Sequence, residues 1–426
     1  MELKRVVVTG LGTVNPIGCS VEEFWQNAID GKSGAGPITL YDTEQIIAKV
    51  RFACEVKNFD ISKYMDIKDA RKLDRFGQLA MAAAVQAVQD SGLDFVKEDP
   101  YRCGVVMGYG MGGIDSFQEG IETICNQKSK GQEIKASPFF IPKIIGSIAS
   151  GLISIRFGLK GPNYSTSSAC ASSTHALIDA VNLIRMGKAD VFLSGGAEAA
   201  VTYGGICGFG VMHALSTRND SPETACRPMS ASRDGFVLGE GGSVLVLEEL
   251  EHALARGARI YAEVAGWGAT ADAYHMTAPE PEGLGAARVM SDALDDAGMK
   301  PQDIDYINMH GTSTPLGDIA ECKAIVKVFE GCLENLSLSS TKSMTGHLLG
   351  GAGALEALAS VLAVYNDIIP PTINHADDDV DPNIDSRLDF TFNKSRKRQV
   401  RAALSNTFGF GGHNSCIIVK KYPSQS

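Results

Sequence analysis

The sequence predicts a layered α/β fold made of two similar halves, residues 1–258 and 259–426. Three observations predict it. At 426 residues the chain exceeds the length at which one hydrophobic core stops growing, so two units are expected. Short apolar strands alternate with helical stretches, and that order begins again near Ala258. Each half also contains a polar turn that leads into a core helix, one at Cys170 and one at His347, which places helices between sheets.

Taken in order, residues 4–9 are a β-branched run ended by Gly10 and Gly12, and a helix over 21–29 follows Ser20 as its cap. A longer helix is expected over 71–91, with Leu73, Phe76, Ala80, Ala83, Ala84 and Ala87 on one side and Gly92 just beyond. Lys68, Arg71 and Lys72 cluster at its start, where cations oppose the helix dipole, so a reason outside the helix is expected. Residues 104–107 form a strand running into GYGMGG, where Gly108, Gly110 and Gly113 satisfy G-x-G-x-x-G with Glu133 about 20 positions on. That is the basis for a rival reading, a nucleotide-binding dehydrogenase. Against it, residues 114–130 are polar and the following SPFFIPK contains two prolines and no clear second strand, so the loop reads as a pocket lining. After the Cys170 helix come a strand at 190–194, a glycine-rich loop at 204–210 that contains Phe209, and a strand at 243–248. The second half follows the same order: a strand at 260–265 ending in GWG, a helix at 284–297 closed by Gly298, a strand at 305–309 ending in HGTSTPLGD, and a long apolar helix after His347. Strands at 401–405 and 415–419 flank the loop NTFGFGGHN, and the acidic run 377–381 reads as a loop.

Composition narrows the function. A net charge of −11 argues against nucleic-acid binding, which depends on basic surfaces. Ten cysteines lie 10 to 96 residues apart, without CxxC or Cys/His ligand spacing, so neither a disulfide framework nor a zinc site is expected. MELKRVVVTGLG moves straight into a strand, and no apolar run is expected to reach the ~18 residues of a membrane span. A cytoplasmic enzyme is the expectation.

Four groups carry chemistry. Cys170, in STSSACASS, sits at the N-terminus of a helix, where the dipole and unpaired N–H groups favour thiolate. His310 and His347 stand at corresponding ends of elements in the second half, in glycine- and threonine-rich turns. If both face Cys170 they can donate to a carbonyl oxygen gaining negative charge. Glu356 lies in an apolar helix and needs a cation, for which Lys342 is the candidate, either bracing the histidines or moving protons. NTFGFGGHN can aim backbone N–H groups at the sulfur while Phe408 or Phe410 acts as a movable lid.

STSSACASS, NMHGTSTPLGD, TKSMTGHLLGGAGALE and SNTFGFGGHN, in that order and spacing, resemble the β-ketoacyl-[acyl-carrier-protein] synthases of the thiolase fold. With ALSTRND and RDGFVLGEG included, the resemblance covers nearly the whole chain and is nearest to the elongating, type II members. Initiation enzymes of the wider superfamily carry asparagine where this chain has His347. The resemblance implies an α-β-α-β-α thiolase-like fold and a homodimer with no cofactor beyond the carrier's phosphopantetheine. It implies that Cys170 takes the acyl chain as a thioester, with the N–H groups of Cys170 and Phe408 as oxyanion hole, and that His310 and His347 promote decarboxylation of malonyl carrier. It matches Thr312 and Thr314 to binding of the phosphopantetheine arm, Met111 and Phe209 to the acyl pocket, and Lys68, Arg71 and Lys72 to docking of the acidic carrier. Asn308, Glu356, Ser405 and Asn406 match a site for Na+ or K+ in some relatives. Met111 stands where isoleucine is common and His413 where many bacterial relatives have threonine. A related ketosynthase of polyketide or aryl-polyene synthesis would share every catalytic residue.

Overall fold

The computed structural model describes residues 3–44 and 49–423. Eleven strands make the main sheet system: β1 (Val6–Val14), β2 (Cys103–Gly108), β3 (Asn163–Thr166), β4 (Val191–Glu198), β5 (Gly241–Glu249), β6 (Ala262–Ala271), β7 (Tyr306–Asn308), β8 (Ser337–Ser339), β9 (Asp389–Phe390), β10 (Ala402–Gly409) and β11 (His413–Lys420). Their spatial order is β9-β8-β7-β10-β11-β6-β1-β5-β4-β2-β3. In the first half β3, β2 and β4 run parallel, and β5 and then β1 join antiparallel. In the second half β8, β7 and β10 run parallel, and β11 and then β6 join antiparallel. The two arrays meet where Val6–Val8 of β1 pairs with residues 262–264 of β6.

Among the helices of the described residues, α1 (Arg75–Ser91), α3 (Ser172–Arg185), α4 (Leu284–Ala297), α5 (Pro315–Phe329) and α6 (Ala352–Asn366) cover and separate the arrays, while α2 (Ile114–Ser129), after β2, is largely exposed. α3 and α6 lie in the middle, where Leu177, Val181, Leu355 and Leu358 pack with Val6, Leu247, Ala403 and Ile417 from the two arrays. α1 covers the outer face of the first array, and α4 and α5 cover that of the second, which completes five layers, α-β-α-β-α. Strands buried on both faces must be apolar throughout, and β1, β4 and β5 are buried along their whole length. Each fully buried Leu or Val there is worth about 2 kcal/mol. The two middle helices touch closely: a Cβ on Gly353 would lie 2.0 Å from Thr174 Oγ1.

Four expectations are corrected. The 204–210 stretch, expected as a glycine-rich loop, is a helix, Tyr203–Val211, capped by the Thr202 side chain. The 71–91 helix begins at Arg75, capped by the Asp74 carboxylate, so Lys68, Arg71 and Lys72 do not oppose its dipole; Lys68 lies in a separate turn, Ile67–Ala70, that Arg71 closes. The second strand expected to be missing after GYGMGG is present as β3; its polar, exposed sequence NYST gives no apolar signal. Residues 349–366 are long and apolar enough to cross a membrane, but 89% of that stretch is buried, as the middle layer of this fold.

Candidate active site

The chain turns sharply into α3. Ala169 takes a left-handed conformation, φ +50°, and Ser172 Oγ accepts from Ser168 N–H at 2.9 Å and donates to Ala169 O at 2.6 Å, which locks the turn. Cys170 is thereby held buried at the head of the helix. Its sulfur lies 3.0 Å from His347 Nε2, and the backbone N–H of Phe410 points at it. Burial pushes the thiol up to about 12, against the pull of Lys342 and the Phe410 amide. The expected resting thiolate is therefore corrected to a thiol, because desolvation outweighs the helix terminus. The expected oxyanion amide of Phe408 is corrected as well. Phe408 pairs with Asn414 across the ladder and rests its ring on the outer core, while Phe410, beyond the end of β10, supplies the N–H at the sulfur. Gly409 permits this approach, since a Cβ there would lie 2.9 Å from Ser168 O and 3.1 Å from Cys170 N.

His310 follows β7, and a buried carboxylate fixes its backbone: Glu321 accepts from His310 N–H at 2.9 Å and Gly311 N–H at 2.8 Å. His347 follows the turn Lys342–Thr345, and its N–H donates to Val237 O at 2.8 Å. The two imidazoles meet edge to face at 5.3 Å, Phe236 sits edge-on to His347 at 5.3 Å, and Phe408 tilts against His310 at 5.7 Å. Burial, and after it the charge of Lys342, hold both imidazoles well below the ordinary histidine range. Both are neutral at physiological pH, so each carries one ring N–H. Lys342 and Glu356 form a buried ion pair, and burial lifts the carboxyl to about 7 against the pull of Lys342.

One cavity of about 410 Å3 is lined by Cys170, His310, His347, Phe209, Phe408 and Phe410, and Thr312 and Thr314 also line it. Phe209 packs edge-on to Phe236 at 5.5 Å. The threonine hydroxyls lie 3.1 Å apart. Met111 does not line this cavity; it is exposed, and its N–H is held by Glu198. Lys68, Arg71 and Lys72 are exposed and lie outside the lining, with Lys72 paired to Asp69 at 2.7 Å. Asn308 Oδ1, Ser405 Oγ and Glu356 Oε2 are buried oxygens without a protein partner, and the register of β7 and β10 puts Asn308 beside Ser405. Asn406 Oδ1 is also buried without a protein partner, but Asn406 follows Ser405 in the strand and so faces the other way, with Nδ2 donating to Glu321 Oε1 at 3.1 Å.

Two functional carboxylates escape the sequence reading. Glu321 carries His310, and burial raises it to about 7. Glu198, raised to about 7 by burial, accepts from the N–H groups of Gly110, Met111, Gly112 and Gly350 at 2.7 to 3.2 Å. These are the amides that a dinucleotide phosphate would need, and Glu133 is exposed beyond the end of α2, so the Gly108–Gly113 motif is no nucleotide site. The available signal for both was an acid inside an otherwise buried run.

A buried sulfur, two neutral imidazoles and a backbone amide around one cavity define an enzyme that takes an acyl group on cysteine and condenses it with a second thioester. The model of the β-ketoacyl synthase N-terminal domain matches residues 3–253 and that of the C-terminal domain residues 261–376; the chain belongs to the β-ketoacyl synthase family. It is 46% identical over 419 residues to the 3-oxoacyl-[acyl-carrier-protein] synthase 2 of Staphylococcus aureus (strain COL), covering 98% of this chain and 99% of the relative. The enzyme of the same name from Synechocystis sp. is 47% identical over 422 residues, covering 99% of each. Among solved structures, the ishigamide ketosynthase/chain length factor superposes with a TM-score of 0.91 at 36% identity, covering 99% of this chain and 100% of that one. A type II polyketide ketosynthase in complex with its acyl carrier protein superposes at 0.89 with 33% identity and the same coverage.

Proposed function

We propose that the chain elongates fatty acyl groups as a 3-oxoacyl-[acyl-carrier-protein] synthase of the type II class, with Cys170 as nucleophile and His310 and His347 as the decarboxylating pair. The observation that carries this is the 3.0 Å approach of His347 Nε2 to Cys170 Sγ in the cavity that His310 also lines. Sulfur attacks the acyl thioester, the thiol proton ends on the departing carrier thiol, and the Phe410 N–H meets the developing oxyanion. The malonyl thioester then enters, and the two imidazole N–H groups hold its carbonyl oxygen. The bond to the carboxylate breaks, CO2 leaves, and the electron pair becomes an enolate. That enolate attacks the Cys170 thioester, the carbon–sulfur bond breaks, and the returning thiolate takes up one proton. The product is a 3-oxoacyl thioester longer by two carbons.

Identity of 46–47% with 3-oxoacyl-[acyl-carrier-protein] synthases 2, against 33% with the type II polyketide ketosynthase, supports the fatty-acid reading over the polyketide or aryl-polyene one. Thr312 and Thr314 hold the phosphopantetheine arm in this reading, and Phe209 bounds the acyl chain. Lys68, Arg71 and Lys72 dock the acidic carrier, so its KM rises with salt. β3 is an exposed edge strand beside the exposed Met111, which supports pairing with a second copy in a homodimer that would bring Met111 to the acyl pocket. The three orphaned oxygens of Asn308, Ser405 and Glu356 suit Na+ or K+, and a higher melting temperature in KCl than in choline chloride at equal ionic strength is the expected sign. No other cofactor takes part, and the reaction runs in the cytoplasm. Turnover of acyl and malonyl carrier proteins to 3-oxoacyl product tests the reading; hydrolysis without chain extension would overturn it.

A further inference from the structure

The segment Gly311–Pro315 carries the two cavity threonines around a strained residue. Ser313, which is not glycine, has φ +68°. It is held from three sides: its backbone N–H donates to Asp318 at 3.2 Å, its side-chain hydroxyl accepts from Arg227 N–H at 3.0 Å, and its carbonyl accepts from Gly235 N–H at 3.0 Å. Immediately beyond it lies Arg233, 5% exposed and outside the cavity lining. Its guanidinium donates to Thr314 O at 3.2 Å, Pro315 O at 2.8 Å, Ser230 O at 2.7 Å and Asp381 at 2.7 Å, and it faces Asp318 at 3.2 Å. Asp318 also takes Met229 N–H at 2.9 Å, and Asp379 takes Ser232 N–H at 2.8 Å, so the acidic loop 377–381 is sewn to the 229–233 stretch that carries Arg233.

We propose that Arg233, seated between Asp318 and Asp381, is the positioning residue that sets the Thr312 and Thr314 hydroxyls for the amides of the thioester arm. This rests on the reading of those threonines as arm-binding groups. A planar fork is required, because a lysine ammonium reaches at most three of these acceptors and only from one point. Loss of the fork lets the segment relax from its strained turn and separates the two hydroxyls, while Cys170 and the imidazoles, held by other contacts, stay in place. The effect is therefore selective for thioesters that carry the arm's amides.

The test compares acyl-pantetheine with the acyl thioester of 2-mercaptoethanol, which lacks those amides, as acyl donors to Cys170. For Arg233→Lys and for Asp381→Asn, KM for acyl-pantetheine is expected to rise about fivefold to tenfold, the worth of one or two hydrogen bonds. kcat, and KM for the truncated thioester, should stay within about twofold by the same arithmetic. The double variant Thr312→Val/Thr314→Val should show the same selective rise. Equal loss with both donors, or no loss, in the Arg233 and Asp381 variants while the threonine variant is selective overturns the proposal alone. A threonine variant without selective loss overturns the arm-binding reading and the proposal with it. Should Arg233→Lys fail to fold, Asp381→Asn carries the decision.

Discussion

Two glycine-rich loops follow strands in this molecule, and they have opposite fates. In the Gly108–Gly113 loop three successive amides, with that of Gly350, are satisfied by Glu198, a carboxylate supplied by β4. In the Gly409–Gly412 loop the Phe410 amide is aimed at the cysteine sulfur, the atom whose substituent changes in the reaction. The first loop is an anion site that the protein has filled with its own anion, so it braces two segments. The second keeps a donor for charge that appears only during reaction. A glycine pattern therefore reports close backbone approach, and what the amides face decides between scaffold and catalyst.

The largest effect is expected on the catalytic side of this contrast. Cys170→Ala should lower condensation by more than about a thousandfold, since no acyl-enzyme forms, with an unchanged melting temperature. His310→Ala and His347→Ala should each slow malonyl decarboxylation about a hundredfold to a thousandfold, followed as CO2 release. Gly409→Ala, whose Cβ would press on Ser168 O and Cys170 N, should slow acyl transfer about a hundredfold while changing melting little; wild-type transfer rates would show that the amide is not placed by that contact. Lys342→Met tests the electrostatics. Lys342 lowers both the thiol and the two imidazoles, so its loss should slow alkylation of Cys170 by iodoacetamide severalfold at pH 8. The acid limb of decarboxylation, set by protonation of the imidazoles, should move to higher pH, because removing a nearby cation makes imidazolium easier to form. The smallest effect on chemistry belongs to the scaffold loop. In Glu198→Gln an amide NH2 would face N–H donors, which should cost about 2 kcal/mol in unfolding experiments and leave Cys170 alkylation unchanged. If NAD raises the melting temperature of that variant, the loop is a latent nucleotide site and the contrast fails.

Much of this was legible in the sequence, because motif and element boundary coincide: Cys170 at the head of α3, His310 after β7, His347 and Lys342 before α6, and Glu356 one turn inside it. A layered fold with buried central helices follows from apolar strands and a helix apolar almost throughout, whereas the number of layers is implied only by the resemblance. What escaped depends on direction rather than position. Whether Phe408 or Phe410 turns its amide to sulfur is decided by where β10 ends and bends, and two phenylalanines with flanking glycines look alike in sequence. Asn406 adjoins Ser405 in the motif, but strand alternation sends neighbouring side chains to opposite layers. The thiolate expectation weighed the helix terminus without the burial that outweighs it. Lys68, Arg71 and Lys72 look continuous with α1 in the sequence, and only the Asp74 cap separates them from it.

The account rests on one sulfur out of ten serving as the acyl carrier. The direct measurement is peptide mass spectrometry of the enzyme quenched after mixing with acyl carrier protein and no malonyl donor. The expected result is one acyl group, on Cys170, that is discharged when malonyl carrier is added and persists when His310 and His347 are both alanine. An acyl group on another cysteine, or chain extension without any acyl-enzyme, would contradict it.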